Sequence, residues 1–261
     1  MPPRLAIPRL GALRSGWGAA DKLNNLTGVG GAYCNVGKNR FCEAGAMELG
    51  KKALFLDRDG VINQEVGYLH TAADVRWVDG IFELCRAAVG LGYKLVVVTN
   101  QSGIARGLYS EAQYEELTAW MLEEFVKEGA PLDAVYFCPF HPEFGVGAYK
   151  REHEDRKPGT GMLRRAAKEL LVELSESVMV GDRCTDMVAA NAAGLRRAFL
   201  LEGTETGECT AEYLLVKTLR QVQEWLAVAA AASADEVAQG DADLDGALNS
   251  LGESSAEPVG E

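Results

Sequence analysis

Five short apolar runs recur along the middle of the chain, each ending on a residue able to do chemistry or bind a ligand. Ala53-Leu54-Phe55-Leu56 runs into Asp57, and Lys94-Leu95-Val96-Val97-Val98 into Thr99. Asp133-Ala134-Val135-Tyr136-Phe137 runs into Cys138, Val178-Met179-Val180 into Gly181-Asp182, and Arg197-Ala198-Phe199-Leu200-Leu201 into Glu202. These runs are β-branched or aromatic and do not alternate with polar residues. That pattern predicts strands buried on both faces. Helical patterns lie between them. The spacing predicts helices over Gly80–Val89, Ser110–Lys127, Gly161–Leu174 and Thr185–Ala193, the last closed by Gly194. In the second, Ser110 and Gln113 have the spacing of a capping box, and Leu117, Met121 and Phe125 share one face. Gly129 and Pro131 stop it. A terminal helix is expected over Glu212–Ala232. Strands alternating with helices imply an α/β fold, a doubly wound parallel sheet covered on both faces.

The 261 residues carry a net charge of −12, unevenly spread. Residues 1–46 balance at +4, residues 47–226 at −8, and residues 227–261 at −8 with no basic residue. Three units follow. Residues 1–46 are Gly-rich and aperiodic, read as a disordered extension or as sequence upstream of a true start at Met47. Residues 47–226 form the one folded domain. Residues 227–261 are the Ala-rich end of a helix followed by an acidic disordered tail. An acidic domain argues against a nucleic-acid groove, which needs a positive face. No apolar run is long enough to span a membrane. The six cysteines form no CxxC pair and are expected to be reduced thiols of a cytoplasmic, monomeric protein.

In open α/β sheets, ligands gather at the carboxyl ends of strands. Asp57-Arg58-Asp59-Gly60 leaves the first run. Asp57 can attack phosphorus, and Asp59 can protonate a leaving alcohol and later activate water. Gly60 permits the sharp exit. Thr99-Asn100-Gln101-Ser102-Gly103 offers a hydroxyl and backbone N–H groups to phosphate oxygens. Lys157, in Arg156-Lys157-Pro158, can neutralise charge on a transferring phosphoryl group. Asp182 can complete a Mg²⁺ site with Asp57, or cap the helix that follows.

In this order, the four segments resemble the four motifs of the haloacid dehalogenase superfamily, whose fold is Rossmann-like. Residues 51–226 are similar to its heptose-bisphosphate phosphatase and histidinol phosphatase branch. DRDGVIN (57–63), VVVTNQSGIARG (96–107), CPFHPE (138–143), DRKPGTGML (155–163) and MVGDRCTDM (179–187) carry the likeness. Residues 101–107 favour the heptose enzymes. The resemblance implies a minimal cap domain or none, Asp57 as nucleophile and Asp59 as general acid/base. It implies Mg²⁺ on Asp57, the Asp59 carbonyl and Asp182, with Thr99 and Lys157 on the phosphoryl group. A small phosphorylated sugar would meet Asn100, Gln101, Ser102, Arg106 and Arg156. A non-catalytic module on this fold would be expected to have lost one of the acids or Lys157, and none is lost.

Members of the branch carry a zinc loop of one Cys-x-His and one Cys-x-Cys pair before the Arg-Lys-Pro. Here Phe140 replaces the His, and His153 and Asp155 replace the Cys pair. Cys138, His141, His153 and Asp155 remain a candidate mixed zinc set. A loop held by packing, without Zn²⁺, is the preferred reading. Cys184 reads as a small buried residue, and His70 as a loop residue bonded to backbone or touching substrate. Asp241–Gly246 opens like a calcium loop, but Gly252 stands where the bidentate Glu belongs, so a solvated tail is preferred.

Overall fold

The computed structural model describes residues 52–203 and 209–232, and the backbone of residues 32–34. The remainder of 1–51, the acidic tail and its calcium-like stretch lie outside the described residues.

Six strands run parallel: β2 (Lys52–Leu56), β3 (Tyr93–Asn100), β4 (Ala134–Cys138), β5 (Val178–Gly181), β6 (Arg197–Leu201) and β7 (Leu214–Val216). A short strand β1 (Ala32–Cys34), from the stretch read as an extension, pairs antiparallel with β4. The sheet order is β1-β4-β3-β2-β5-β6-β7. The chain therefore winds outward in both directions from the β2/β5 pair. That pair is the topological switch point where a crevice opens beyond the strand ends.

Alternate side chains of β2 enter two separate cores. Leu54 and Leu56 join Leu84, Leu117, Phe125 and Val222 on one face. Ala53 and Phe55 join Met162, Leu163, Met187 and Ala190 on the other. Every residue of Ala53–Leu56 is fully buried, which is why the run shows no polar alternation. The first face is covered by α1 (Ile81–Gly90), α3 (Glu111–Lys127) and the helix over 219–232, the second by α4 (Gly161–Leu170) and α5 (Cys184–Ala193). The Ser110–Gln113 capping box of α3 is present in both directions, and Gly194 ends α5 in the left-handed conformation at φ 79°. The β2–β3 connection carries only a 3₁₀ turn and α1. The β3–β4 connection carries α2 (Ser102–Ala105) and α3. Neither is a cap domain. Among the described residues no helix is long and apolar enough to cross a membrane.

Three expectations change. The helix expected to run to Leu174 ends at Leu170, because Leu171 turns left-handed at φ 55° and Val172 N–H closes back on the Ala167 carbonyl. The segment from Glu212 is not helical at its start. Leu214–Val216 instead takes up the free edge of β6, and Gln221 Oε1 then accepts from Lys217 and Thr218 N–H at the head of the helix. The cysteines are not all reduced. Cys184 and Cys209 form a disulfide with Cα atoms 5.4 Å apart, while Cys85 and Cys138 are free and buried. Cys184 is thus a cross-link rather than packing. The sequence separation of 25 residues hides a spatial neighbour that β6 and β7 bring back to the start of α5. Asn191 reinforces the link by clamping the Glu212 backbone at 2.9 and 2.6 Å.

Closing a loop of this length stabilises a fold by about 3 kcal/mol in the chain-entropy view. Reductant is expected to lower the melting temperature by roughly 5–10 °C. The Cys184→Ser/Cys209→Ser double variant should melt at one temperature with or without it. Differential scanning fluorimetry reads both, and a wild-type melting point indifferent to reductant would contradict the cross-link.

Candidate active site at the switch point of the sheet

A cleft of about 620 Å³ opens at the carboxyl ends of β2, β3 and β5. Its floor is Asp57, the first residue past β2, whose N–H donates to the Val180 carbonyl of β5 at 3.0 Å. Asp57 thereby continues the ladder by one residue and projects where the sheet divides. Asp182 follows β5, and Asp186 lies in the first turn of α5. Carboxylate oxygens of Asp57, Asp182 and Asp186 all fall within 4.8 Å of one another, and all three residues are buried. Gly60 makes this approach possible. It sits at φ 88°, and a Cβ there would lie 2.2 Å from Asp182 Oδ2.

Lys157 enters this acidic cluster from the loop before α4. Its Nζ lies 3.0 Å from Asp57 Oδ1 and 2.6 Å from Asp186 Oδ1, and donates to the Val98 carbonyl at 2.8 Å. Asn100 holds the Lys157 backbone reciprocally, with both bonds at 3.0 Å. Burial would pull the ammonium down, but Asp186 and Asp57 outweigh it and hold the lysine above its ordinary value. For Asp57, burial dominates. Lys157 pulls the other way, yet burial together with Asp186, Asp182 and Asp59 pushes the carboxyl up to about 7. Three buried carboxylates around one ammonium leave a net negative site of hard oxygen donors. That donor set suits Mg²⁺, which takes carboxylates plus water and phosphate oxygens.

Asp59 is placed differently. Arg58, only 3% exposed, forks onto it with bonds of 2.8–3.1 Å, and Asn63 and Gln101 each add one at 3.0 Å. Burial acts to raise Asp59, but Arg58 and these hydrogen bonds hold it below the usual carboxylate range. Two carboxylates two residues apart are thus driven in opposite directions by their surroundings. Thr99 Oγ1 accepts from Gln101 Nε2 at 2.8 Å, which leaves its own proton available to a ligand.

The remaining predicted positions divide. Asn100, Ser102, Arg106 and Arg156 line the cleft. Arg106 lies 4.1 Å from the Phe144 ring centre, and Arg156 donates to the Phe140 carbonyl at 3.3 Å. Gln101 also borders the cleft, but its side chain is buried and spent on Asp59, Thr99 and Tyr109, so it braces the site rather than meeting a ligand. Asp182 is not the helix cap; Arg183 holds that position, and its N–H donates to Asp186 Oδ2 at 3.1 Å. His70 bonds the Tyr68 carbonyl at 2.9 Å and stacks on Tyr109. The candidate zinc residues are not gathered into one ligand cluster among the described residues. His141 Nδ1 accepts from Glu143 and Phe144 N–H, His153 stacks on Phe140, and Asp155 pairs with Arg165 at 3.1 Å. Phe140 is buried in the core cluster that holds Cys138 and Met162. Sequence reasoning missed Asp186 and Arg58. Asp186 stands four residues after Asp182, a spacing that faces both acids the same way once a turn forms, yet an acid in a first helical turn also reads as an ordinary dipole partner.

Residues 155–223 match the family model described as HAD-hydrolase-like. A D-glycero-β-D-manno-heptose-1,7-bisphosphate 7-phosphatase of Vibrio cholerae is 45% identical over 68% of this chain and 97% of its own length. The chain belongs to the haloacid dehalogenase-like phosphatases. The corresponding α-heptose enzyme of Burkholderia mallei is 46% identical over 67% of this chain and 93% of its own. Among solved structures, a HAD-like phosphatase from Mesorhizobium loti superposes with a TM-score of 0.66 at 33% identity, covering 77% of this chain and 94% of its own. A D,D-heptose 1,7-bisphosphate phosphatase from B. bronchiseptica, complexed with magnesium and phosphate, superposes at 0.58 with 29% identity, covering 67% and 97%. For this phosphatase the acidic cluster implies a specific stability behaviour. Because the folded state raises Asp57 to about 7, it binds more protons than the unfolded chain between the two values, so stability falls as pH rises from about 4 to about 7. Metal-free Asp57→Asn is therefore expected to melt several degrees above metal-free wild type at pH 7.5, with the gap closing at pH 5 or on adding Mg²⁺. Equal melting points at pH 7.5 would count against the cluster's repulsion.

Proposed function

We propose that this chain is a Mg²⁺-dependent phosphatase of sugar phosphates that acts through an aspartyl-phosphate on Asp57. The substrate we assign is the 7-phosphate of D-glycero-D-manno-heptose 1,7-bisphosphate. The observation that carries the reading is the buried Asp57 at the switch point, bonded to Lys157 and faced by Asp182 and Asp186. The heptose assignment is supported by relatives of that activity at 45–46% identity.

Asp57 would attack phosphorus, and the alcohol would leave with a proton from Asp59. Water would then attack the aspartyl-phosphate, giving its proton to Asp59 and releasing inorganic phosphate. Lys157 and the Thr99 hydroxyl would meet the phosphoryl oxygens as charge moves onto them. Asp57, the Asp59 carbonyl and Asp182 would hold Mg²⁺, with Asp186 beside them. The ion, when bound, offsets the repulsion between a phosphate dianion and the clustered carboxylates. Arg106 and Arg156 would bind the rest of the sugar phosphate from the cleft wall. The open cleft and the absence of a cap among the described connections favour water as the acceptor.

Asp57→Asn should lose more than about 10³-fold in kcat/KM, and chelation of Mg²⁺ should abolish turnover reversibly. The α and β anomers of the bisphosphate should be assayed beside histidinol phosphate, with the product examined for retention of the 1-phosphate. Turnover by Asp57→Asn, or a preference for histidinol phosphate, would sink the corresponding part of the proposal.

A further inference from the structure

We infer that Arg58, backed by Gln101 and Tyr109, is a positioning unit for the Asp59 carboxylate whose main service is to the second half-reaction, the hydrolysis of the aspartyl-phosphate. The inference rests on the reading of Asp57 as nucleophile and Asp59 as proton carrier.

Asp59 is held from three directions. Its Oδ1 accepts from Arg58 Nε at 3.1 Å, Arg58 Nη2 at 3.0 Å and Asn63 Nδ2 at 3.0 Å. Its Oδ2 accepts from Arg58 Nη2 at 2.8 Å and Gln101 Nε2 at 3.0 Å. The holders are themselves held. Arg58 is 3% exposed, donates also to the Leu69 carbonyl at 3.3 Å, and lies 5.5 Å from the Tyr114 ring centre. Gln101 is oriented by the Tyr109 hydroxyl, which donates to its Oε1 at 2.5 Å. With that oxygen taken, the amide can only offer N–H to Asp59 and Thr99. Every side-chain group bonded to the Asp59 carboxylate is thus a donor. A guanidinium fork and two amides fix the plane of the carboxylate and keep it an acceptor, the role needed to take a proton from water. Arg58 is buried and does not line the cleft, so it acts through Asp59.

The two half-reactions use Asp59 differently. In the first, an Asp57 oxygen–phosphorus bond forms, the bond to the alcohol breaks, and the alcohol oxygen takes a proton from Asp59. In the second, a water oxygen–phosphorus bond forms and the water proton passes to Asp59. The Asp57–phosphorus bond then breaks, returning its electron pair to the carboxylate. With p-nitrophenyl phosphate the phenolate leaves without a proton, so only the second half draws on Asp59.

The test is stopped-flow turnover of p-nitrophenyl phosphate by the full chain with Mg²⁺. Arg58→Met should lower kcat about 10–100-fold without raising KM, and show a burst of p-nitrophenolate approaching one per enzyme. Arg58→Lys should recover part of the loss, since it keeps the charge without the fork. Tyr109→Phe keeps the ring and decides the matter if Arg58→Met does not fold. It should lower kcat roughly threefold to tenfold, the effect of one hydrogen bond, again with a burst. A fall in kcat with no burst, a raised KM at unchanged kcat, or a Tyr109→Phe enzyme identical to wild type would overturn the inference. A wild type without turnover or phosphoenzyme would overturn the phosphatase reading, and this inference with it.

Discussion

The structure turns on the burial of three carboxylates around one ammonium. Asp57, Asp182 and Asp186 approach within 4.8 Å in a site where burial itself disfavours charge, and Lys157 bonds two of them. Like charges so placed repel strongly in a medium of low effective dielectric. A fold tolerates this only where the backbone leaves no alternative. Asp57 extends β2 by a ladder bond to β5, Asp182 follows β5, and the first turn of α5 delivers Asp186. The parallel sheet, buried on both faces, is the rigid frame that keeps the cluster together.

Small residues and local bonds complete that frame. Gly60 and Gly181 leave room for Asp182 and Asp186, since a Cβ at either glycine would come within 2.5 Å of the acid it faces. Asn100 ties Lys157 to the end of β3, so the ammonium and the Thr99 hydroxyl are positioned by one strand. The Cys184–Cys209 link and the Asn191 clamp fasten the β6–β7 connection to α5, the helix that carries Asp186. The two acids of Asp57-Arg58-Asp59 have opposite surroundings. Asp57 lies beside Lys157 and two other carboxylates, whereas the side-chain groups bonded to the Asp59 carboxylate are all donors.

Much of this was legible in the sequence for identifiable reasons. Strands buried on both faces leave unbroken apolar runs, and all five runs became strands. Ser110 with Gln113 and the glycine at 194 marked helix ends because capping is a local hydrogen-bonding problem. Leu214–Val216 was misread because an edge strand of three residues has no period of its own. The Cys184–Cys209 pair was invisible because its spacing matches no motif. Gln101 looked like a ligand contact until its amide was seen to be consumed within the protein. Cys138, His141, His153 and Asp155 are ligand types by sequence, but among the described residues they do not form one ligand cluster.

What the sequence determined alone was five of the seven strands, the order of the four polar segments that follow them and the chemistry each can supply, because these depend on local period and side-chain type. What only the tertiary structure decided was which groups meet. Asp186 joins Asp57 and Asp182, Arg58 turns to Asp59 rather than to solvent, and Cys184 finds Cys209. Each depends on elements distant in sequence or on the direction a side chain takes from a fixed backbone. A linear pattern carries no term for that direction.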